Sequence, residues 1–355
     1  MQSTSLRTGA ATTVDDAPER PLRISVAMCT YNGERYLPQQ LASILAQSRM
    51  PDELVVCDDR SQDQTLRLLE EFARHAPFSV RVVVNEGNLG STRNFEQCIL
   101  LCTGDLIALS DQDDVWHRDR LAVSEQKLIT SSEAGLVFSD ATLIDEEGRT
   151  LPAKLWESIG FAESSRRALH EKDYTLCLRT RFVTGATAMF RTSLRDQCLP
   201  VGRGWIHDEW IAAATPLFAE IEEINAPLIC YRKHAAQQIG PVQHPSLVAK
   251  ARADWMQLWG EQVNHWSRLG VAAAAARALC GHFAEQQLPA KGTARLGQYQ
   301  AVLAFLEFRQ RLPRSRVARL IPVLKALSRY RKHAGAAHLR FAGLGDILRD
   351  LLFRK

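Results

Sequence analysis

Acidic residues crowd two short segments of this chain. One is Asp58-Asp59-Arg60-Ser61-Gln62-Asp63 and the other is Ser110-Asp111-Gln112-Asp113-Asp114. Each follows an apolar run, ELVVC at 53–57 and DLIAL at 105–109. A helix N-cap uses one such side chain, and these segments hold several. Asp111 and Asp113 stand two positions apart, and alternate side chains of extended chain point the same way. Converging carboxylates repel unless a cation lies between them, and hard oxygen ligands suit Mg²⁺ or Mn²⁺. A cation held by few protein groups keeps positions open for a diphosphate. A third polar cluster, Thr30-Tyr31-Asn32-Gly33-Glu34, follows the apolar run RISVAMC at 23–29.

The chain between these clusters alternates strands with helices. Strands are expected at 23–29, 53–57, 80–84, 105–109 and 135–139, with helices at 34–48, 64–74, 91–102 and 117–130. In the first helix Leu37, Leu41, Ile44 and Leu45 fall at helical spacing, and Pro38 sits in the first turn, where proline is tolerated. Such alternation implies right-handed βαβ units and a mainly parallel sheet with helices on both faces. Ligands of these sheets bind beyond the carboxyl ends of the strands, where the polar clusters fall. Residues 141–182 read as loop-rich, 183–190 as a strand, 208–218 as a helix and 226–231 as a last strand. From about Leu247 the pattern turns helical. The expected division is a flexible segment 1–21, an α/β domain 22–240 and a helical extension 241–355.

The segments VAMCTYNGERYLPQQLASILAQ, DELVVCDDRSQDQT, NLGSTRNFEQCI and GDLIALSDQDDVW together resemble the start of a family 2 glycosyltransferase. The resemblance is dense over 23–120 and sparser to about 240. It implies a Rossmann-like GT-A fold, a nucleotide-sugar donor and inversion at the anomeric carbon. The form SDQDDVW resembles the bacterial rhamnosyltransferase-like branch, which builds surface polysaccharides; dTDP-rhamnose is the donor this implies.

Carried over residue by residue, Thr30, Tyr31 and Glu34 match the segment lining the nucleotide pocket. Asp58 matches the acid that accepts from the pyrimidine N3–H, and Asp59 the rest of its loop. Asn88 belongs to the turn near the donor, and Arg93 follows it within reach of a phosphate or sugar. Asp111, Gln112 and Asp113 match the motif for metal and ribose diphosphate. Thr184 and Gly185 resemble the segment between sugar and acceptor. His207-Asp208-Glu209-Trp210 resembles the acceptor-side motif, with Asp208 as general base, Glu209 as the alternative, and Trp210 on the acceptor side. His234 matches the late histidine that completes the metal site or contacts the diphosphate. The family often has Asn near the end of that stretch, where this chain has Gln237-Gln238-Ile239-Gly240.

Two other classes compete. A sugar nucleotidyltransferase shares the acidic metal ligands but carries a Gly-rich loop after its first strand, where this chain has Thr30–Glu34. A non-catalytic nucleotide-binding scaffold has no need of so many carboxylates.

The 355 residues, 46% hydrophobic and 24% charged, exclude a disordered chain or a disulfide scaffold. None of the eight cysteines forms a C-x-x-C pair, and several lie in apolar runs, so they read as reduced core residues of a cytoplasmic protein. Residues 1–21 lack an apolar stretch, so no secretory leader is expected, and no run is long enough to span a membrane. The net charge of +4 hides an asymmetry. Residues 241–355 carry 19 Lys/Arg against six Asp/Glu, a net of +13, and residues 1–240 carry −9. Basic and apolar residues interleave over 305–355, a pattern suited to peripheral contact with an anionic inner leaflet. No nucleic-acid recognition motif accompanies the basic charge. The acceptor expected is a glycan or a lipid-linked glycan.

Overall fold

A computed structural model describes residues 20–235 and 265–326, together with Ser328, Ile347, Asp350 and Leu351. Most of the segment 1–21, the boundary at 240, Gln237–Gly240 and much of the basic run beyond 326 lie outside the described residues.

Five strands and four helices alternate first: β1 Ile24–Thr30, α1 Leu37–Leu45, β2 Glu53–Asp58, α2 Thr65–His75, β3 Ser79–Val84, α3 Ser91–Leu101, β4 Leu106–Ser110, the short β5 Val115–Trp116, and α4 Arg120–Thr130. There follow β6 Ala134–Ile144, β7 Thr150–Lys154, α5 Leu155–Ser158, α6 Glu163–His170, β8 Ala188–Arg191, α7 Thr192–Cys198, α8 His207–Ala214 and β9 Glu220–Arg232. Three more helices close the described chain: α9 His265–Phe283, α10 Ala290–Gln310 and α11 Arg316–Lys325.

One nine-stranded sheet runs β3-β2-β1-β4-β8-β6-β9-β5, with β7 on β6. The β3-β2-β1-β4 half is parallel, as the alternation requires. Its register sets Thr30 beside Asp58 and Asp58 beside Val84, so the polar clusters share one edge. The other half is mixed: β8 is antiparallel to β4 and β6, β9 is parallel to β6, and β5 is antiparallel to β9. The segment 141–182, expected as loop, instead holds the end of β6, β7, α5 and α6. Its β7 alternates exposed and half-buried residues at the sheet margin, which gives little apolar signal.

Alternation along β1 divides its side chains between two cores. Ile24, Val26 and Met28 pack with Leu37, Leu41 and Ile44 of α1 and Leu121 and Leu128 of α4. Ala27 and Cys29 face Phe95, Cys98 and Ile99 of α3. Burial on both faces explains why β1 and β2 read as continuous apolar runs. Leu45 ends α1 with 41% of its surface exposed, while Leu37, Leu41 and Ile44 are buried.

The extension packs on the α3 side. Leu279 and Phe283 of α9 and Leu296 and Tyr299 of α10 join the same core as Trp210 and Leu217. Gly292 seats α10 directly on backbone: a Cβ there would lie 2.0 Å from the Leu217 carbonyl oxygen. Tyr299 donates to the Ala213 carbonyl at 3.0 Å, and Arg295 to that of Pro216 at 2.7 Å. Gly292→Ala is therefore expected to destabilise the protein by about 1–3 kcal/mol, since backbone must shift to admit the methyl. Urea unfolding of the variant beside Gly297→Ala, where a Cβ meets nothing within 4 Å, measures this.

Candidate active site

The first two polar loops are laced together. Asn32 N–H donates to Ser61 Oγ at 2.9 Å, and Gln62 N–H returns to Asn32 Oδ1 at 2.8 Å. Gly33 N–H donates to Thr65 Oγ1, Glu34 N–H to Asp63, and Gln64 N–H to the Glu34 carboxylate at 2.9 Å. Asn32 and Arg60 take positive φ angles of 47° and 66° to make these turns. Gln112 joins the fourth loop to the first. Its Oε1 accepts from Tyr31 N–H at 2.8 Å and its Nε2 donates to Tyr31 O at 3.0 Å. Gly33 makes room for this amide, because a Cβ there would stand 2.3 Å from Gln112 Oε1.

Asp58 is fully buried, and its carboxylate accepts from Thr30 Oγ1 at 2.7 Å and from Ser61 N–H and Oγ at 2.8 and 2.6 Å. Asp58, expected to accept from a pyrimidine base, is held between Thr30 and Ser61. This side chain orders Thr30 and Ser61. Asp59, also buried, accepts from Leu89 N–H, Gly90 N–H and Asn85 Nδ2 at 2.7, 2.9 and 2.8 Å, which fixes the turn carrying Asn88. Gly90 has φ 75°, a conformation that favours glycine. Half-exposed Arg93 pairs with Glu96 at 2.6 Å.

Carboxylates of the segment after β4 and of α8 gather with His234 beyond β4. His234 Nε2 lies 2.7 Å from Asp113 Oδ2, with both side chains mostly buried, and Tyr36 lies against the histidine ring. Burial, then the charges of Asp113 and Asp208, push the Asp111 carboxyl up to about 8. Asp114 is buried, accepts Arg232 N–H at 2.9 Å on Oδ1, and leaves Oδ2 with no partner; burial holds its carboxyl well above the usual range. The expected pairing of Asp111 and Asp113 on extended chain takes another form, because the chain leaves strand geometry after Ser110. The two carboxylates act on each other by charge, and Asp113 has His234 as partner.

Buried Arg120, the first residue of α4, supplies the main positive charge beneath them. Its Nη2 donates to the carbonyls of Leu109 at 2.9 Å and Ala186 at 2.7 Å, and its guanidinium lies 3.6 Å from the Trp116 ring centroid. Burial lowers it to about 9 against the opposing pull of Asp114 and Asp111. Nothing in the sequence marks Arg120, because its burial depends on β5 folding Trp116 beneath it.

Asp208 stands in the first turn of α8. Its Oδ2 accepts Gly185 N–H at 2.8 Å, and Thr184 precedes that glycine at the start of a 3-10 turn. Glu209 points elsewhere, to Arg181 at 2.7 Å, and burial pushes its carboxyl up to about 7. This has a consequence for stability. The folded protein holds that proton more tightly than the unfolded chain, so the penalty is absent below the ordinary glutamate value and grows as pH rises to about 7. Glu209→Gln is expected to melt higher than the parent at pH 8, with the gain vanishing near pH 4; thermal melts across that range check it. Trp210, expected on the acceptor side, is fully buried, donates to Cys198 O at 2.7 Å and packs on Phe283. The indole faces the core.

Residues 25–199 match the profile of Glycosyl transferase family 2. The chain carries a family 2 glycosyltransferase domain. Over 135 residues it is 34% identical to "Putative glycosyltransferase EpsE" of Bacillus subtilis (strain 168), covering 37% of this chain and 49% of that one. Over 98 residues it is 36% identical to "dTDP-rhamnosyl transferase RfbG" of Shigella flexneri, covering 26% and 34%. The matched segments thus span half or less of these relatives' own lengths. Among solved structures, S. aureus TarS 1–349 in complex with UDP-GlcNAc superposes with a TM-score of 0.50 at 19% identity, covering 93% of this chain and 90% of that one. The likeness shows a shared GT-A fold. Asp208 and His234 lie beyond the segment matched by the family profile. No helix among the described residues is long and apolar enough to cross a membrane.

Proposed function

We propose that this family 2 glycosyltransferase moves a sugar from a UDP- or dTDP-linked donor onto a glycan or lipid-linked acceptor in bacterial polysaccharide synthesis, with inversion. One observation carries the reading: Arg120 bonds the carbonyls of Leu109 and Ala186 while Asp208 accepts Gly185 N–H, so the end of β4 and the start of α8 meet in one acidic site beside Gly185. The partial match to a dTDP-rhamnosyl transferase, together with the SDQDDVW motif, favours dTDP-rhamnose. A lipid-linked acceptor places the enzyme peripherally on the cytoplasmic face of a membrane.

The residues present suit a divalent cation. Among the described residues no set of three His, Cys, Asp or Glu side chains stands at metal-binding distance. Asp113 and His234 are, however, already adjacent donors, and the acidic cluster around them is short of positive charge. Asp113 and His234 would hold Mg²⁺ or Mn²⁺, with Asp111 close by and the donor's diphosphate completing the shell. The cation would supply charge neutralisation for the departing diphosphate.

The protein's own groups do the rest. Gln112 and the Thr30–Glu34 loop shape the nucleotide pocket, and Asp59 holds the turn of Asn88 against it. Asp208 is fixed by Gly185 N–H on one oxygen and takes the acceptor hydroxyl proton on its carboxylate. A single carboxylate at the carbon means one displacement from the opposite face, hence inversion. Release of nucleoside diphosphate from a panel of nucleotide-sugars, with and without metal, tests the reading. EDTA is expected to suppress release and added Mn²⁺ or Mg²⁺ to restore it. Release of pyrophosphate from a nucleoside triphosphate would overturn it.

A further inference from the structure

Among the described residues, helix α11 has two apolar faces, and one of them is covered. Val323 packs with Phe305, Leu312 and Ala326, while buried Arg319 donates to the Asp350 carbonyl at 2.9 Å. On another face Val317, Leu320, Ile321 and Leu324 stand at positions i, i+3, i+4 and i+7, one above the other. All four are exposed, Val317 by 84% and Ile321 by 64%. Single exposed apolar residues are ordinary, but a continuous stripe on one helix marks an interaction surface.

The charge around the stripe selects the occupant. Arg311, Arg314, Arg316 and Lys325 beside it are exposed. From 308 to 345 the sequence has ten Lys/Arg and no Asp or Glu. An apolar stripe flanked by cations with long aliphatic stems suits the boundary between anionic headgroups and acyl chains. We infer that α11 lies in the surface of an anionic lipid leaflet, with Val317, Leu320, Ile321 and Leu324 in the acyl boundary and the basic residues at the phosphates. The mount is rigid at its base, because α10 is fixed to the end of α8 through Gly292, Arg295 and Tyr299. Membrane contact through this face therefore orients α8, which carries Asp208. The inference deepens the proposed function and rests on it only for the lipid-linked acceptor.

Flotation of the full chain with vesicles tests it, using phosphatidylglycerol mixed with phosphatidylcholine against phosphatidylcholine alone. Binding is expected to the anionic vesicles only and to weaken with salt. The double variant Val317→Glu/Ile321→Glu is expected to lose at least about tenfold in vesicle affinity. Arg316→Gln is expected to lose about fivefold. Melting temperature and donor hydrolysis should stay at parent values, because these side chains are exposed. Equal binding to both vesicles, binding to neither, or undiminished binding by the double variant would overturn the inference. So would a parent dimer dispersed by the same glutamates, which would assign the face to a second copy. Failure of donor hydrolysis with vesicle binding intact would count against the proposed function alone.

Discussion

Asp208→Asn is expected to lower the rate of glycosyl transfer by about 10²–10⁴-fold while nucleotide affinity changes little. Asparagine keeps an oxygen for the Gly185 N–H that Asp208 accepts at 2.8 Å, so the loop should hold its position. It cannot take up the acceptor hydroxyl proton. Glu209→Gln is the discriminating comparison, because Glu209 is turned to Arg181 and away from that glycine. Its effect on transfer should be less than tenfold. Steady-state kinetics with a saturating acceptor, beside calorimetric titration with the nucleoside diphosphate, separates the two measurements. Full activity in Asp208→Asn, or a greater loss in Glu209→Gln, would move the base to Glu209.

Arg120→Met is expected to destabilise the protein by about 3–5 kcal/mol, the usual cost of leaving a buried charge without its counterpart. The guanidinium opposes the charge of Asp114 and Asp111, and it bonds the carbonyls of Leu109 and Ala186. Those carbonyls belong to the segments before Asp111 and after Gly185, so one side chain ties the two halves of the site. Lysine should not rescue the loss, because an ammonium lacks the planar fork that spans two carbonyls while lying on Trp116. Denaturant unfolding of both variants measures it, and a change under 1 kcal/mol in Arg120→Met would refute the role.

Much of the catalytic half was legible because its strands are buried on both faces. Such strands read as apolar runs, and the polar residues that end them stand out. The helices α1 to α4 followed from spacing. The helical character of the C-terminal part was legible from composition, though not which faces it would cover. The β7 to α6 region was not legible, because half-exposed edge elements lack a strong period. A motif gives position along the chain but not the direction a side chain faces, and Trp210 turns into the core.

By itself, the sequence determined the family, the parallel half of the sheet and the edge at which Thr30, Asp58 and Asp111 end their strands. These are local properties, set by hydrophobic period and by side chains within a few residues. Tertiary structure alone decided that Asp58 lies inside, that His234 meets Asp113 across 121 positions, and that Arg120 sits beneath the carboxylates. It also decided that Asp208 rather than Glu209 turns to Gly185. The reason is physical: burial and charge act through space, and the chain brings these groups together only when the sheet closes through β8, β6 and β9.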